Sequence, residues 1–210
     1  MKGNAISEGT IQYKVTYPYL DSNNVLQRFL PAAMTMHFKN DKIHAEFLAG
    51  FGLFKTGFIS DSKTMKMSYL LKLINVKYTS HYNQESAKIL YSDFPKYKIV
   101  LTEETKVIAG YQCKKVIVDF IDEDVPDFSA YYTYDIKIKK PNWSSPLSEI
   151  DGVLLEYELE KYNLRMHLTA DKIIGGEIAD ELLSIPKDYE EIPNTKMNNK
   201  IRETFQNFQY

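Results

Sequence analysis

Between Met34 and Phe47 every second residue is apolar, and the phase of that alternation changes once, across Asn40-Asp41. Met34, Met36 and Phe38 alternate with Thr35, His37 and Lys39, and Ile43, Ala45 and Phe47 alternate with Lys42, His44 and Glu46. A period of two belongs to the pleat of a β-strand, whose successive side chains point to opposite faces. Asn and Asp tolerate positive φ and suit a tight two-residue turn, which sets Lys39 opposite Lys42. Counting outward pairs Phe38 with Ile43, Met36 with Ala45 and Met34 with Phe47 on an apolar face, and His37 with His44 on a polar one.

The same period recurs along the chain. Ile11, Tyr13, Val15 and Tyr17 carry it first, then Met65, Met67 and Tyr69, then Val116, Val118 and Phe120. Val153, Leu155, Tyr157 and Leu159 are followed by Leu164, Met166 and Leu168, and an even-length loop around residues 161–163 keeps both sets on one face. Tyr97 to Leu101 and Tyr131 to Tyr134 are also β-rich, whereas residues 21–28 and 137–146 read as loops, the second punctuated by Pro141 and Pro146. Residues 64–79 read as further strand, and the mixed period over 68–76 leaves a helix open there. Gly50, Gly52 and Gly57 stand among Phe51, Phe54 and Phe58, a pattern that predicts a bulge or sharp bend in a curved sheet. With 16 Tyr and 11 Phe beside 9 Gly, the composition favours aromatic strands over glycine-rich phosphate loops.

Eight or more strands at hairpin spacing, without βαβ alternation, predict a mainly β fold: a single curved antiparallel sheet with one or two covering helices. Residues 1–8 are expected to be disordered, 9–192 to form the sheet domain, and 193–210 to form a C-terminal amphipathic helix. Asn194 is a good N-cap for that helix, and Met197, Ile201, Phe205 and Phe208 follow at spacings of four, four and three. Such a stripe is expected to seal an apolar surface of its own domain. A shorter helix is expected over 175–184, ended by Pro186.

Several function classes find no support. A formal charge of −2, from 26 basic and 28 acidic side chains, gives no electrostatic reason to bind nucleic acid. No run of about 18 apolar residues predicts a transmembrane span. Cys113 is the only cysteine, which excludes an internal disulfide and multi-cysteine zinc sites, and its place within a strand offers nothing to activate the thiol. Nucleophile-elbow, Walker and dinucleotide-binding motifs are missing. His37, His44 and Glu46 share a face and could offer three metal ligands, but no supporting partner is identifiable and exposed faces collect such residues. His81 reads as a loop residue and His167 as an outward strand residue beside Glu156 or Glu158. Asp122-Glu123-Asp124 and Glu190-Glu191 read as solvated loop charges. Neither a cofactor nor a metal is expected, and no enzyme activity.

The most specific string is Glu104-Thr105-Lys106-Val107-Ile108-Ala109-Gly110-Tyr111-Gln112-Cys113-Lys114-Lys115. It resembles the GY-x-CKK signature of a group of Gram-negative envelope proteins that includes the GLPGLI family. Tyr131-Tyr132-Thr133-Tyr134-Asp135-Ile136 is similar to the tyrosine-threonine strand of that group, and Ile185-Pro186-Lys187-Asp188-Tyr189 to the end of such domains. Where the namesake motif would fall the chain reads Ile150-Asp151-Gly152-Val153-Leu154-Leu155, so the resemblance points to sister families that lack it. Residues 9–192 lie under the resemblance.

It implies an exported protein, periplasmic or associated with the outer membrane, whose signal peptide has been removed. It also implies a fold similar to the LolA and LolB lipoprotein carriers, an incomplete barrel with helix or loops over its concave apolar side. Those carriers hold acyl chains, which makes a lipid or other apolar molecule the expected ligand and an envelope protein a second expected partner. The Met and Phe face supplies the candidate lining: Met34, Met36, Phe38, Phe47, Phe51, Phe54, Phe58 and Met67, because flexible methionines adapt to irregular apolar ligands. The competing expectation is a structural or protein-interaction module whose own side chains fill the cavity. An enzyme of unrecognised type would instead need a polar pocket with shifted titratable groups.

Overall fold

A computed structural model describes residues 4–20, 28–161 and 164–206. The strands are β1 (Glu8–Thr16), β2 (Ala33–Lys39), β3 (Lys42–Ala49), β4 (Phe54–Asp61), β5 (Lys66–Leu73) and β6 (Val76–Asn83), then β7 (Tyr97–Ile108), β8 (Tyr111–Phe120), β9 (Phe128–Thr133), β10 (Val153–Lys161), β11 (Leu164–Gly175) and β12 (Glu190–Glu191). Two helices accompany them, α1 (Gln84–Ile89) between β6 and β7, and α2 (Asn194–Gln206) after β12. All twelve strands join one sheet in the order β12-β6-β5-β4-β3-β2-β1-β11-β10-β9-β8-β7. The mainly β fold and single curved sheet are therefore as expected, with one correction. The sheet is mixed, because β12 pairs with β6 in parallel, Glu190 beside Tyr78 and Glu191 beside Thr79.

The hairpin of β2 and β3 has the register obtained by counting: Lys39 faces Lys42, Phe38 faces Ile43, Met36 faces Ala45, Met34 faces Phe47 and His37 faces His44. Asn40 takes the left-handed φ of 53° that the turn needs. Tyr157 opposite Leu168 and Leu159 opposite Met166 place the apolar sets of β10 and β11 on one face.

Topology forces the curvature. β6 and β7 are consecutive in the chain yet ten strands apart in the sheet, so a flat sheet would hold them about 48 Å apart at ~4.8 Å per strand. The connection from Asn83 to Tyr97 includes the six-residue α1 and reaches only about 36 Å even when its remaining residues are fully extended. The two ends of the sheet must therefore curl toward each other, and residues 84–96 bridge the mouth. Register shifts at Gln12/Tyr13, Leu154/Glu156 and Leu101/Thr105 mark bulges that add local twist.

The glycines among the phenylalanines act otherwise than expected. Gly50 and Gly52 belong to a 3-10 turn that separates β3 from β4. Gly57 lies in a regular ladder, where a Cβ would stand 2.3 Å from the Ala45 carbonyl oxygen, so it permits close strand approach without a bulge.

Both faces are covered. On the inner face, Met197 and Ile201 of α2 are fully buried with Met67, Tyr69, Leu71, Tyr82, Ala87 and Ile192, as the helical spacing anticipates. The side chain of Phe205 and residue Phe208 lie outside the described residues. On the outer face, residues 176–189 run across the sheet before β12. Lys39 Nζ donates to the Ile178 carbonyl at 3.2 Å and pairs with Asp180 at 2.8 Å. Ile178 and Leu183 are buried there.

Three further expectations need correction, and the choice left open over 68–76 is settled. Helix over 175–184 shrinks to a 3-10 turn at Asp180–Leu183, because Gly175 still belongs to β11. The 68–76 region is strand, as the reading of 64–79 has it, interrupted by a tight turn at Ile74 with φ 54°. His81 lies in β6, its ring 2.9 Å from Ser68 Oγ, not in a loop. Within the expected disordered 1–8, residues 4–8 are placed: Ile6 bridges Ile136 in parallel and Glu8 opens β1.

Candidate functional site

The inner face of β1 to β4 and β10 encloses a cavity of about 80 Å³, lined by Tyr13, Met34, Met36, Ala45, Phe47, Phe58 and Tyr157 among others. Its roof is the segment 141–146, a run of turns that follows β9. Beyond that roof lies a second, larger cleft of about 830 Å³. Its walls come from α1, from residues 91–97 and from residues 140–151, the segments that bridge the mouth of the curled sheet. Tyr91, Ser144, Ser145 and Pro146 line both spaces, so a thin partition separates them.

Hydrogen bonds hold the partition shut. Tyr97 Oη donates to the Pro146 carbonyl at 2.7 Å, and Asn142 Nδ2 donates to the carbonyls of Ile150 at 2.6 Å and Gly152 at 2.9 Å. Burial, with the Glu149 carboxylate second, pushes the Tyr97 phenol up to about 12, so the donor keeps its proton at any ordinary pH. Trp143 stands in the same segment, and its buried Nε1–H has no hydrogen-bond partner. In the cavity, Tyr13 Oη donates to the Leu154 carbonyl at 2.8 Å and its ring meets Tyr157 edge-on at 6.1 Å.

The eight candidate residues separate into groups. Met34, Met36, Phe47 and Phe58 line the inner cavity. Phe38 shares their face but is 0% exposed and packs in the core. Phe54 borders an apolar slit with Leu71 and Ile201, and Met67 packs beneath α2. The side chain of Phe51 lies outside the described residues. Sequence reasoning missed Tyr13, Val153 and Tyr157 as lining, although their period-2 positions placed them on the correct face. It also missed Tyr91 and the 141–146 roof, which no local pattern marks.

The polar clusters are engaged elsewhere. His37, His44 and Glu46 do come together, with the two rings 6.3 Å apart. Three of their atoms are engaged: His37 Nδ1 lies 2.9 Å from Thr10 Oγ1, His44 Nδ1 lies 2.6 Å from the Leu182 carbonyl, and Glu46 pairs with Lys55 at 2.5 Å, while the buried His44 Nε2 has no hydrogen-bond partner and lies 3.5 Å from Glu46. Among the described residues no group of three or more His, Cys, Asp or Glu is arranged to hold a metal. Two carboxylates of β10 are paired: Glu156 with Lys106 of β7 at 2.7 Å, and Glu158 with Arg165 of β11 at 2.5 Å and with His167 of β11 at 3.3 Å. Arg165 also stacks on Phe120 and Phe128.

The GY-x-CKK string has structural duties. Ala109 and Gly110, with φ of 47° and 88°, form the turn between β7 and β8. Cys113 is buried and its thiol is pushed up to about 12 by that burial, which leaves no thiolate to react. Lys114 lies over the Tyr134 ring and Lys115 pairs with Glu104 at 2.9 Å.

Fold and site together define an open, curled β-sheet protein with a small apolar cavity and a wide mouth of mixed polarity. No helix among the described residues is long and apolar enough to cross a membrane. Neither a protein-family model nor a curated protein matches the chain.

Proposed function

We propose that this protein binds a lipid or another apolar ligand on the inner face of its sheet and is a carrier or sensor rather than an enzyme. The observation that carries the reading is the adjacency of the two spaces: an apolar cavity is parted from a roomy cleft by only four shared residues, Tyr91, Ser144, Ser145 and Pro146. Ligand pockets run to about 300–1,000 Å³, so the inner cavity is too small alone and the outer cleft is of adequate size. Binding therefore requires segment 141–146 to lift. A location in the cell envelope, the LolA-like ancestry and an envelope protein partner belong to the same proposal and rest on the resemblance of 104–115 and 131–136.

Native mass spectrometry of the full chain, purified without detergent and then mixed with laurate, tests it. A bound laurate is the expected result, and Ala45→Leu, which adds carbons to the cavity floor at a buried position, is expected to weaken binding about tenfold or more while the fold stays intact. An unchanged mass overturns the reading.

A structural or protein-interaction module is the second reading. The close packing of the inner face favours it: Phe38, Ile11 and Leu168 are fully buried, and α2 seals the half of the face formed by β5 and β6.

A further inference from the structure

We propose that the ligand is a single-chain amphipath with an anionic head, its chain end in the inner cavity and its head in the outer cleft. The proposal rests on the apolar-ligand reading and adds the chemistry of the other end. Three ammonium groups line the outer cleft, from Lys88 on α1, Lys96 before β7 and Lys140 before the roof segment. Two carboxylates, Glu149 and Asp151, face the same space. Among the described residues neither the three lysines nor the two carboxylates have an ion-pair partner, so three cations stand against two anions in the cleft. The cleft thus keeps a surplus of positive charge beside its acids.

A fourth donor lies in the roof itself. Trp143 borders the cleft, and its buried Nε1–H has no acceptor in the closed arrangement. Buried donors ordinarily find partners. Lifting segment 141–146 moves this indole together with Ser144 and Ser145, and an anionic oxygen arriving in the cleft gives the N–H an acceptor. One motion thus opens the apolar cavity and presents a donor to the head. The width of the cavity limits the ligand to one chain, because about 80 Å³ takes a chain end and no second tail.

Three probes with the same chain test the head separately from the tail: laurate, dodecanol and dodecyltrimethylammonium, each titrated as monomer into the full chain at neutral pH by calorimetry. Laurate is expected to bind about tenfold tighter than dodecanol, the size of effect that several partly solvated ion pairs supply together. In the triple variant Lys88→Gln, Lys96→Gln, Lys140→Gln that ratio should fall toward unity, and it should shrink in high salt. All three positions are solvent-facing, and a thermal melt verifies that the variant folds. Equal binding of the three probes, or tightest binding of the cation, overturns the anionic head and leaves the apolar-ligand reading standing. Binding of none of them overturns both.

Discussion

Two histidines that look alike in the sequence have opposite effects on stability. Burial holds the His44 imidazole below its ordinary range, against the pull of Glu46 and of the Leu182 carbonyl. Lys55 and His37 face it from the sheet, and Asp180 and Glu181 lie in the turn packed over it. The unfolded chain then binds protons more readily than the folded one, so stability falls as pH drops through the unfolded value of about 6.5. His167 is raised, chiefly by its hydrogen bond to Glu158. Its contribution is complete below about 6.5 and is lost as pH rises through its folded value. Denaturant melts between about pH 5 and 8 should therefore show a shallower acid loss for His44→Gln and a steeper one for His167→Gln than for the native chain. The outward side of His167, beside Glu158, was legible from alternation. The burial of His44 was not, because the cover comes from Leu182, 138 positions later.

At the scale of elements, legibility follows how local the cause is. The hairpin of β2 and β3 could be counted out because its turn and its pleat lie within fourteen residues. Helix α2 was readable from Asn194 and the stripe of Met197, Ile201, Phe205 and Phe208, and Met197 and Ile201 are fully buried. Met197→Ala is expected to destabilise by about 2–5 kcal/mol, seen as a lower denaturation midpoint, since α2 then covers Met67 and Tyr82 with a void. Helix α1 went unnoticed because six residues with one buried side chain, Ala87, give no periodicity; its capping box, Asn83 with Ser86, was the sole local signal. The roof segment is held in part by a bond from far along the chain, Tyr97 to Pro146. Tyr97→Phe removes the hydroxyl that grips Pro146 and should cost about 0.5–1.5 kcal/mol while raising the association rate of laurate in stopped-flow measurements. An unchanged rate would show that the roof does not open at this end.

For the whole molecule, the two ends of the sheet are differently protected. β12 contributes two residues and leaves little edge, whereas β7 runs for twelve with Val100, Leu101 and Val107 exposed. The bulge between Leu101 and Thr105 and the charges of Lys98 and Lys106 guard that longer edge against pairing with another chain. The sheet class and its curvature were legible from strand count and hairpin spacing. The order of the strands was not, because it depends on the junction of β1 with β11, whose partners Gly9 and Gly175 share no local pattern. Chains cut before residue 164 lack β11 and leave β1 with one edge open; such truncations should aggregate on refolding, measured by light scattering, while the full chain remains dispersed.

That junction also sets a timetable for biosynthesis. β1 leaves the ribosome before the other eleven strands of the sheet, yet it is an interior strand, flanked by β2 and β11. At about 5–20 residues per second, roughly ten to thirty seconds pass between the emergence of β1 and that of β11. Through that interval, while β2 to β10 emerge, the seam of β1 along Gly9 to Thr16 stays unsatisfied and is the stretch most in need of a chaperone's shelter until translation reaches Gly175.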